Sequence, residues 1–127
     1  MSTPKMAAWN LALRFGLEVA ALIALGAASW TTSSGPTRWA AVVIVPAVAV
    51  ASWGLFNIAD DPSRSGQAPV EVAGWLRLAI ELAVLGGAAA ALALTGRPLV
   101  ALGLAFLIVV HYAASWRRIQ WLLDSRS

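Results

Sequence analysis

Two pairs of opposite charges stand inside stretches of sequence that are otherwise apolar. Arg14 and Glu18 lie four positions apart among Leu, Ala, Val and Gly residues, and Arg77 and Glu81 repeat this spacing in the second half of the chain. Residues at i and i+4 share one face of a helix, so each arginine can bond its own glutamate. Ionisable groups of this kind inside a membrane bind charged solutes or move protons, whereas inside a packed core they only fix the packing.

The cost of burying these charges makes them informative. On an insertion scale, a charged side chain at the centre of a membrane helix costs roughly 2.5–3.5 kcal/mol. A carboxylate paired with an arginine exchanges protons poorly near neutral pH, which favours solute binding over proton coupling. Internal neutralisation, either within each helix or by cross-bridging of Arg14 to Glu81 and Arg77 to Glu18, stays open as the alternative.

Further polar residues are expected at the same depth of the protein. Asn10 shares the helical face of Arg14 and Glu18. His111 is either a structural histidine or a proton relay, and Trp53 is either a packing residue or a ring for a cation. The candidate ligand-binding site or ion-pair cluster comprises Asn10, Arg14, Glu18, Trp53, Asn57, Arg77, Glu81 and His111.

Composition favours a membrane protein. The chain of 127 residues is 60% hydrophobic and 12% charged, with a mean hydropathy of +0.75, whereas soluble domains average about 25% charged residues. The absence of cysteine excludes a thiol nucleophile and thiolate metal sites. The formal charge of +3 comes from scattered basic residues, which does not indicate nucleic-acid binding. No motif of an enzyme is present, so we expect no catalytic residues, no metal and no cofactor.

The elements that must position the charges are four apolar segments, each long enough to cross a hydrocarbon core of roughly 30 Å. The sequence predicts an all-α, polytopic four-helix bundle in one domain, with helices at about 7–30, 39–58, 72–94 and 98–116, a loop at about 59–71 and a tail at 117–127. Because a full hairpin separates the two Arg–Glu pairs, helices one and three should run in the same direction, as in a parallel repeat of two hairpins.

Orientation follows from the distribution of basic residues. The side that holds both termini and the long loop carries Lys5, Arg64, Arg117, Arg118 and Arg126, whereas the other side carries Arg38 and Arg97. The positive-inside rule therefore predicts that both termini are cytoplasmic. A cleaved secretory signal is the competing interpretation of the first segment, but Arg14 and Glu18 would interrupt its apolar region.

Several short segments carry a family resemblance. The runs Asn10–Glu18, Trp53–Phe56 and Leu78–Leu82, together with the late His111, resemble the YrdB family of small bacterial integral membrane proteins, a domain of unknown function. The resemblance implies a four-helix protein of the bacterial inner membrane, and it implies no activity.

Two functional hypotheses follow. The first is a multi-pass protein of the cytoplasmic membrane that binds or translocates a small polar or charged solute through the Arg/Glu/His cluster, as a homo-oligomer. The alternative is an accessory or assembly subunit of a larger membrane complex, in which the charge cluster is purely structural. Both expect the lipid bilayer as a partner and no nucleic acid.

Overall fold

The computed structural model describes residues 3–63 and 67–124, and this part of the chain is almost entirely helical. Its five helices are α1 (Ala8–Thr32), α2 (Pro36–Leu55), α3 (Gly74–Leu94), α4 (Pro98–Ala114) and α5 (Trp116–Asp124). Between α2 and α3, the two-residue strands β1 (Phe56–Asn57) and β2 (Val70–Glu71) pair in parallel across the loop. The sequence did not indicate this pairing.

Turn chemistry sets the ends of both helical hairpins. Pro36 and Pro98 stand in the first turn of α2 and α4, where the missing N–H of proline has no cost. Gly35 and Gly96 precede them with positive φ angles of 59° and 86°, a conformation that favours glycine. The helices therefore begin and end close to the predicted residues, with α2 displaced by about one turn toward the N-terminus.

Three helices, α1, α2 and α3, are each long and apolar enough to cross a membrane. The fourth candidate span requires α4 and α5 to be taken together, and these two helices are bent by 70° relative to each other. From the sequence alone, the segment Arg117–Asp124 either extends helix four or lies along the membrane surface. The bend at Ser115 shows that the tail forms a separate helix.

Contacts between helix ends establish the directions of the helices. The Arg38 side chain at the start of α2 donates to the Trp30 carbonyl near the end of α1, and the last turn of α2 lies against Arg77 near the start of α3. Arg14 in α1 contacts Glu81 in α3. Since both residues lie in the first half of their helices, α1 and α3 begin at the same end of the bundle.

The apolar core lies between α1, α3 and α4. It consists of Leu17, Ala21, Ala24, Leu85, Ala88, Leu92, Ala101, Leu104, Ile108 and Tyr112. The alanines at this seam let the helix backbones approach closely. By contrast, α2 is peripheral, because Ala49 and Trp53 are its only buried residues. A smaller cluster of Ile58, Trp121 and Leu122 holds α5 against the loop.

Candidate functional site

The carboxylate of Glu81 is the centre of a buried polar network at the end of the bundle where α1 and α3 begin. Its Oε1 atom accepts hydrogen bonds from Arg14 Nη1 at 2.9 Å, Arg118 Nη1 at 2.9 Å and the Tyr112 hydroxyl at 2.8 Å. Its Oε2 atom accepts from Arg77 Nε at 2.8 Å and Arg118 Nη2 at 2.5 Å. Five donors from four side chains thus converge on one carboxylate, which has about four lone-pair positions.

A second carboxylate, that of Asp61 in the loop, completes the binding of Arg118. Arg118 Nε donates to Asp61 Oδ1, and Arg118 Nη2 donates to Asp61 Oδ2, both at 2.8 Å. Ser63 also donates to Oδ1 through its backbone N–H and its hydroxyl. Burial by itself raises the pKa of Asp61, but the hydrogen bonds and the positive charge of Arg118 outweigh it and hold this pKa below its ordinary value.

Arg77 connects the network to the end of α2. Its Nη1 atom donates to the carbonyls of Trp53 at 2.5 Å and Phe56 at 2.8 Å, which satisfies acceptors that the end of a helix leaves without partners. Its Nε atom lies 3.7 Å from Asp61 Oδ2. The Nη2 atom of Arg77 is buried and has no hydrogen-bond partner among the described residues.

The remaining members lie between α1 and α4. Arg14 Nε donates to Glu18 Oε2 at 3.0 Å, and Arg14 Nη1 lies 3.4 Å from His111 Nε2. On the other side of the imidazole ring, His111 Nδ1 lies 2.7 Å from Asn10 Oδ1. Because arginine can only donate, Nε2 is the acceptor in this arrangement and Nδ1 carries the proton that is donated to Asn10.

Most of the predicted site residues therefore meet in one network. Six of them contribute side chains, namely Asn10, Arg14, Glu18, Arg77, Glu81 and His111. Trp53 is buried and contributes its backbone carbonyl. The side chain of Asn57 is buried and makes a local bond, since its Oδ1 accepts from the Ile58 N–H at 2.8 Å. Intrahelical pairing and cross-bridging both occur, because Arg14 bonds both Glu18 and Glu81.

Three central residues were not among the predicted site residues: Asp61, Tyr112 and Arg118. A signal for Arg118 was present, because His111, Ser115 and Arg118 follow one another at helical spacing. Asp61 gave no such signal, since its position depends on how the loop folds back. Its neighbour Asp60 has a positive φ of 67°, which turns the chain at this point.

The six charged side chains of the network balance one another. Three arginines (Arg14, Arg77 and Arg118) face three carboxylates (Glu18, Asp61 and Glu81). Five of the six are at most 2% exposed, and Glu18 is 8% exposed. Because removing charges from water has a large cost, a buried ionic network is weak evidence for stability alone. The network is therefore the candidate functional site.

Fold and site together define a small all-helical protein whose apolar helices surround a buried ionic cluster. The chain belongs to the family described as "Protein of unknown function (DUF2568)", whose model matches residues 12–109. The matched segment contains both Arg–Glu pairs and Asp61, and it ends before His111 and α5.

A curated relative supports this assignment. The chain is 41% identical over 115 residues to "Uncharacterized protein YrdB" of Bacillus subtilis (strain 168), an alignment that covers 91% of this chain and 94% of the relative. The resemblance to the YrdB family is thereby confirmed. No solved structure matches the chain significantly.

Proposed function

We propose that the chain is a multi-pass protein of the bacterial cytoplasmic membrane that binds, and as a homo-oligomer translocates, a small polar or charged solute at the buried charge cluster. In this proposal the bundle has four spans and both termini are cytoplasmic. The fourth span is α4 without α5, since its 17 residues lie at the lower end of the range of about 17–25 that crosses a membrane. The excess of Lys and Arg on the side of the termini supports the orientation. Three to four helices of sufficient length and apolarity support the topology.

One observation carries the proposal. Arg118, one of the four side chains that donate hydrogen bonds to Glu81, comes from outside the apolar helices α1 to α4. Arg118 lies on α5, a helix of nine residues that is bent by 70° from α4. A cluster that only neutralises charges within the spans needs no member on a separate helix. A site that must open toward the cytoplasm needs a cover that can move while the membrane spans stay packed. The short helix α5, which is bent away from α4 and bonds the cluster through Arg118, is placed to be this cover.

The proposal assigns translocation to a homo-oligomer because one protomer lacks a polar path through the membrane. The half of the bundle beyond Glu18 and Glu81 is predominantly apolar, with Ala, Val, Leu and Gly as its commonest residues, so it offers a charged solute no continuous polar path. The peripheral helix α2 has an exposed apolar face that includes Trp39, Val43 and Val50. A symmetric contact through this face fits a second copy of the chain.

The test is solute flux into proteoliposomes that contain the purified chain, measured with a panel of small cations, anions and zwitterions. Glu81→Gln should abolish flux of the transported solute, because it removes the negative charge and turns one of the two acceptor oxygens into an amide donor that faces arginine donors. Arg117→Ala, a change at an exposed neighbour of Arg118, should leave it unchanged. Flux that is equal in empty liposomes, or that survives Glu81→Gln in folded protein, would contradict the proposal.

The second candidate function is that of an accessory or assembly subunit. The exposed face of α2 favours it as well, because such a face fits a larger membrane complex as readily as a second copy. Purification from native membranes in mild detergent discriminates between the two. A stoichiometric foreign partner would favour the accessory role, and a homo-oligomer alone would favour the solute site.

A further inference from the structure

We propose that the Asp61–Glu81 carboxylate pair is a receptor for a guanidinium group, and that Arg118 is its tethered internal occupant. When α5 moves away, the receptor takes a small cation of the guanidinium class. This inference rests on the proposed function, because it names the solute class of the same site.

The geometry of Arg118 is the first argument. Its guanidinium bonds both oxygens of Asp61, through Nε and Nη2, and both oxygens of Glu81, through Nη1 and Nη2. Each carboxylate thus accepts two hydrogen bonds from one edge of the planar guanidinium group, in a bidentate arrangement. This pattern matches guanidinium and not an ammonium group, which is a compact point charge with three donors.

Charge balance is the second argument. With Arg118 in place, the described cluster contains three arginines and three carboxylates, all in one contact network. Without Arg118, the remaining five groups carry a net charge of −1, on residues that are at most 8% exposed while α5 is in place. A vacant site of this kind attracts one monovalent cation, because an uncompensated buried charge is costly.

Arg77 provides an independent pointer to a bound molecule. This side chain is fully buried, yet its Nη2 atom has no acceptor within the described segments. The Nε–H of the same guanidinium points at Glu81, and Nε lies 3.7 Å from Asp61 Oδ2, so Nη2 belongs to the same cluster. A guanidinium ion has no acceptor for this donor, so its partner would be a water bound beside the ion or an oxygen elsewhere on a larger solute of the guanidinium class.

The attachment of α5 is consistent with movement of Arg118. Besides the Arg118 bonds, the contacts that hold α5 include the small Ile58, Trp121 and Leu122 cluster, the packing of Ile119 against the main core, and the close approach of the Leu122 carbonyl to Gly74. The hinge at Ser115 separates this short helix from the spans. Local opening of such an element requires less free energy than unfolding of the bundle.

Chemical rescue tests the inference. The Arg118→Ala variant is purified in detergent, and its thermal unfolding is followed in 0–20 mM guanidinium chloride, far below denaturing concentrations. We expect Tm to rise with guanidinium concentration until the effect saturates. The rise should be about 3–6 °C when the guanidinium concentration is about ten times its Kd. The wild type and Arg117→Ala should show no rise. Sodium chloride and tetramethylammonium chloride at the same concentrations are the control salts. Neither should raise the Tm of Arg118→Ala.

The double variant Arg118→Ala/Asp61→Asn should lose the rise, because one edge of the receptor is gone. If Arg118→Ala is not recovered folded, it is produced and solubilised in the presence of 20 mM guanidinium chloride. A second variant, Arg118→Gln, is prepared separately in the same way. Recovery that depends on guanidinium supports the inference, and no recovery of either variant overturns it. No shift of Tm, or an equal shift with sodium, also overturns it.

The outcome is distinguishable from failure of the proposed function. If proteoliposomes move a solute without a guanidinium group, and Arg118→Ala shows no rescue, the solute class is wrong and the transport function stands. If guanidinium rescues Arg118→Ala but the flux panel detects no transported solute, the receptor stands and translocation is wrong.

Discussion

Arg118 and Glu81 form a bidentate ion pair, with 2.9 Å between Nη1 and Oε1 and 2.5 Å between Nη2 and Oε2. The pair joins the short helix α5 to α3, at the end of the bundle where α1 and α3 begin. Both side chains are at most 1% exposed, so the pair has no water to replace a lost partner. The stability of the bundle and the position of α5 therefore depend on the same carboxylate.

The two glutamates of the repeat should differ in their importance for stability. Glu81→Gln leaves Arg14, Arg77 and Arg118 without a shared counter-charge, and breaking a buried ion pair by removing one partner costs about 3–5 kcal/mol. Glu18→Gln removes the counter-charge at the less buried position and should cost less. Thermal unfolding in detergent measures both. An equal loss of Tm in the two variants would show that Glu81 is not the centre of the network.

Gly74 is expected to tolerate no side chain. A Cβ atom at this position would lie 1.7 Å from the Leu122 carbonyl oxygen, so Gly74→Ala must push α5 away from α3. We expect faster tryptic cleavage after Arg118, because the displaced helix exposes that peptide bond. Gly86→Ala is the matched control within α3, since its Cβ meets nothing within 4 Å, and it should stabilise the helix by up to about 1 kcal/mol. Equal cleavage rates in the two variants would contradict the packing of α5.

Acid should weaken the contact between α5 and the loop. The pKa of Asp61 is lowered in the folded state from its ordinary value of 3.8. Its stabilising contribution is therefore complete above that ordinary value, declines as the pH falls below it, and is lost once the pH passes the lowered folded pKa. Thermal unfolding from pH 6 to pH 3 should show a steeper loss of Tm for the wild type than for Asp61→Asn. Parallel curves would mean that Asp61 is not ion-paired.

Asn10 should fix the proton position on His111. With Nδ1 donating to Asn10 and Nε2 accepting from Arg14, the ring is expected as the Nδ1–H tautomer, which ¹⁵N chemical shifts of the single histidine can identify. Asn10→Ala leaves a buried donor without its acceptor, at a cost of about 1–3 kcal/mol. Leu11→Ala, at a more exposed neighbour, is the control. An Nε2–H tautomer in the wild type would contradict the assigned network.

The helices and the Arg–Glu pairs could be predicted from the sequence because both depend on the spacing of nearby residues. Runs of apolar residues bounded by Gly35-Pro36 and Gly96–Pro98 are read directly from the chain. The i, i+4 relationship of Arg77 and Glu81 likewise requires only that the segment is helical.

The ligands from the loop and the tail could not be read in this way. Asp61 reaches Arg118 from 57 positions away, and this contact depends on the bend between α4 and α5 and on the pairing of β1 with β2. Neither feature has a strong local signature, since the strands are only two residues long. Tyr112 was missed for a different reason: an aromatic residue in an apolar helix looks like core, and its ring does pack there while its hydroxyl bonds Glu81.

The most direct test of the account is whether the charge cluster can be reached from water on the side of the tail. The chain has no native cysteine, so Ser115→Cys, at a position that is 4% exposed, reports opening to a membrane-impermeant maleimide. Gln120→Cys, on the exposed face of α5, gives the rate for a freely accessible thiol. The account predicts slow labelling at position 115, which becomes at least about tenfold faster in Arg118→Ala, equivalent to about 1.4 kcal/mol of opening free energy. Labelling at Gln120→Cys with none at Ser115→Cys, with or without Arg118, would show a permanently closed core and contradict the solute site.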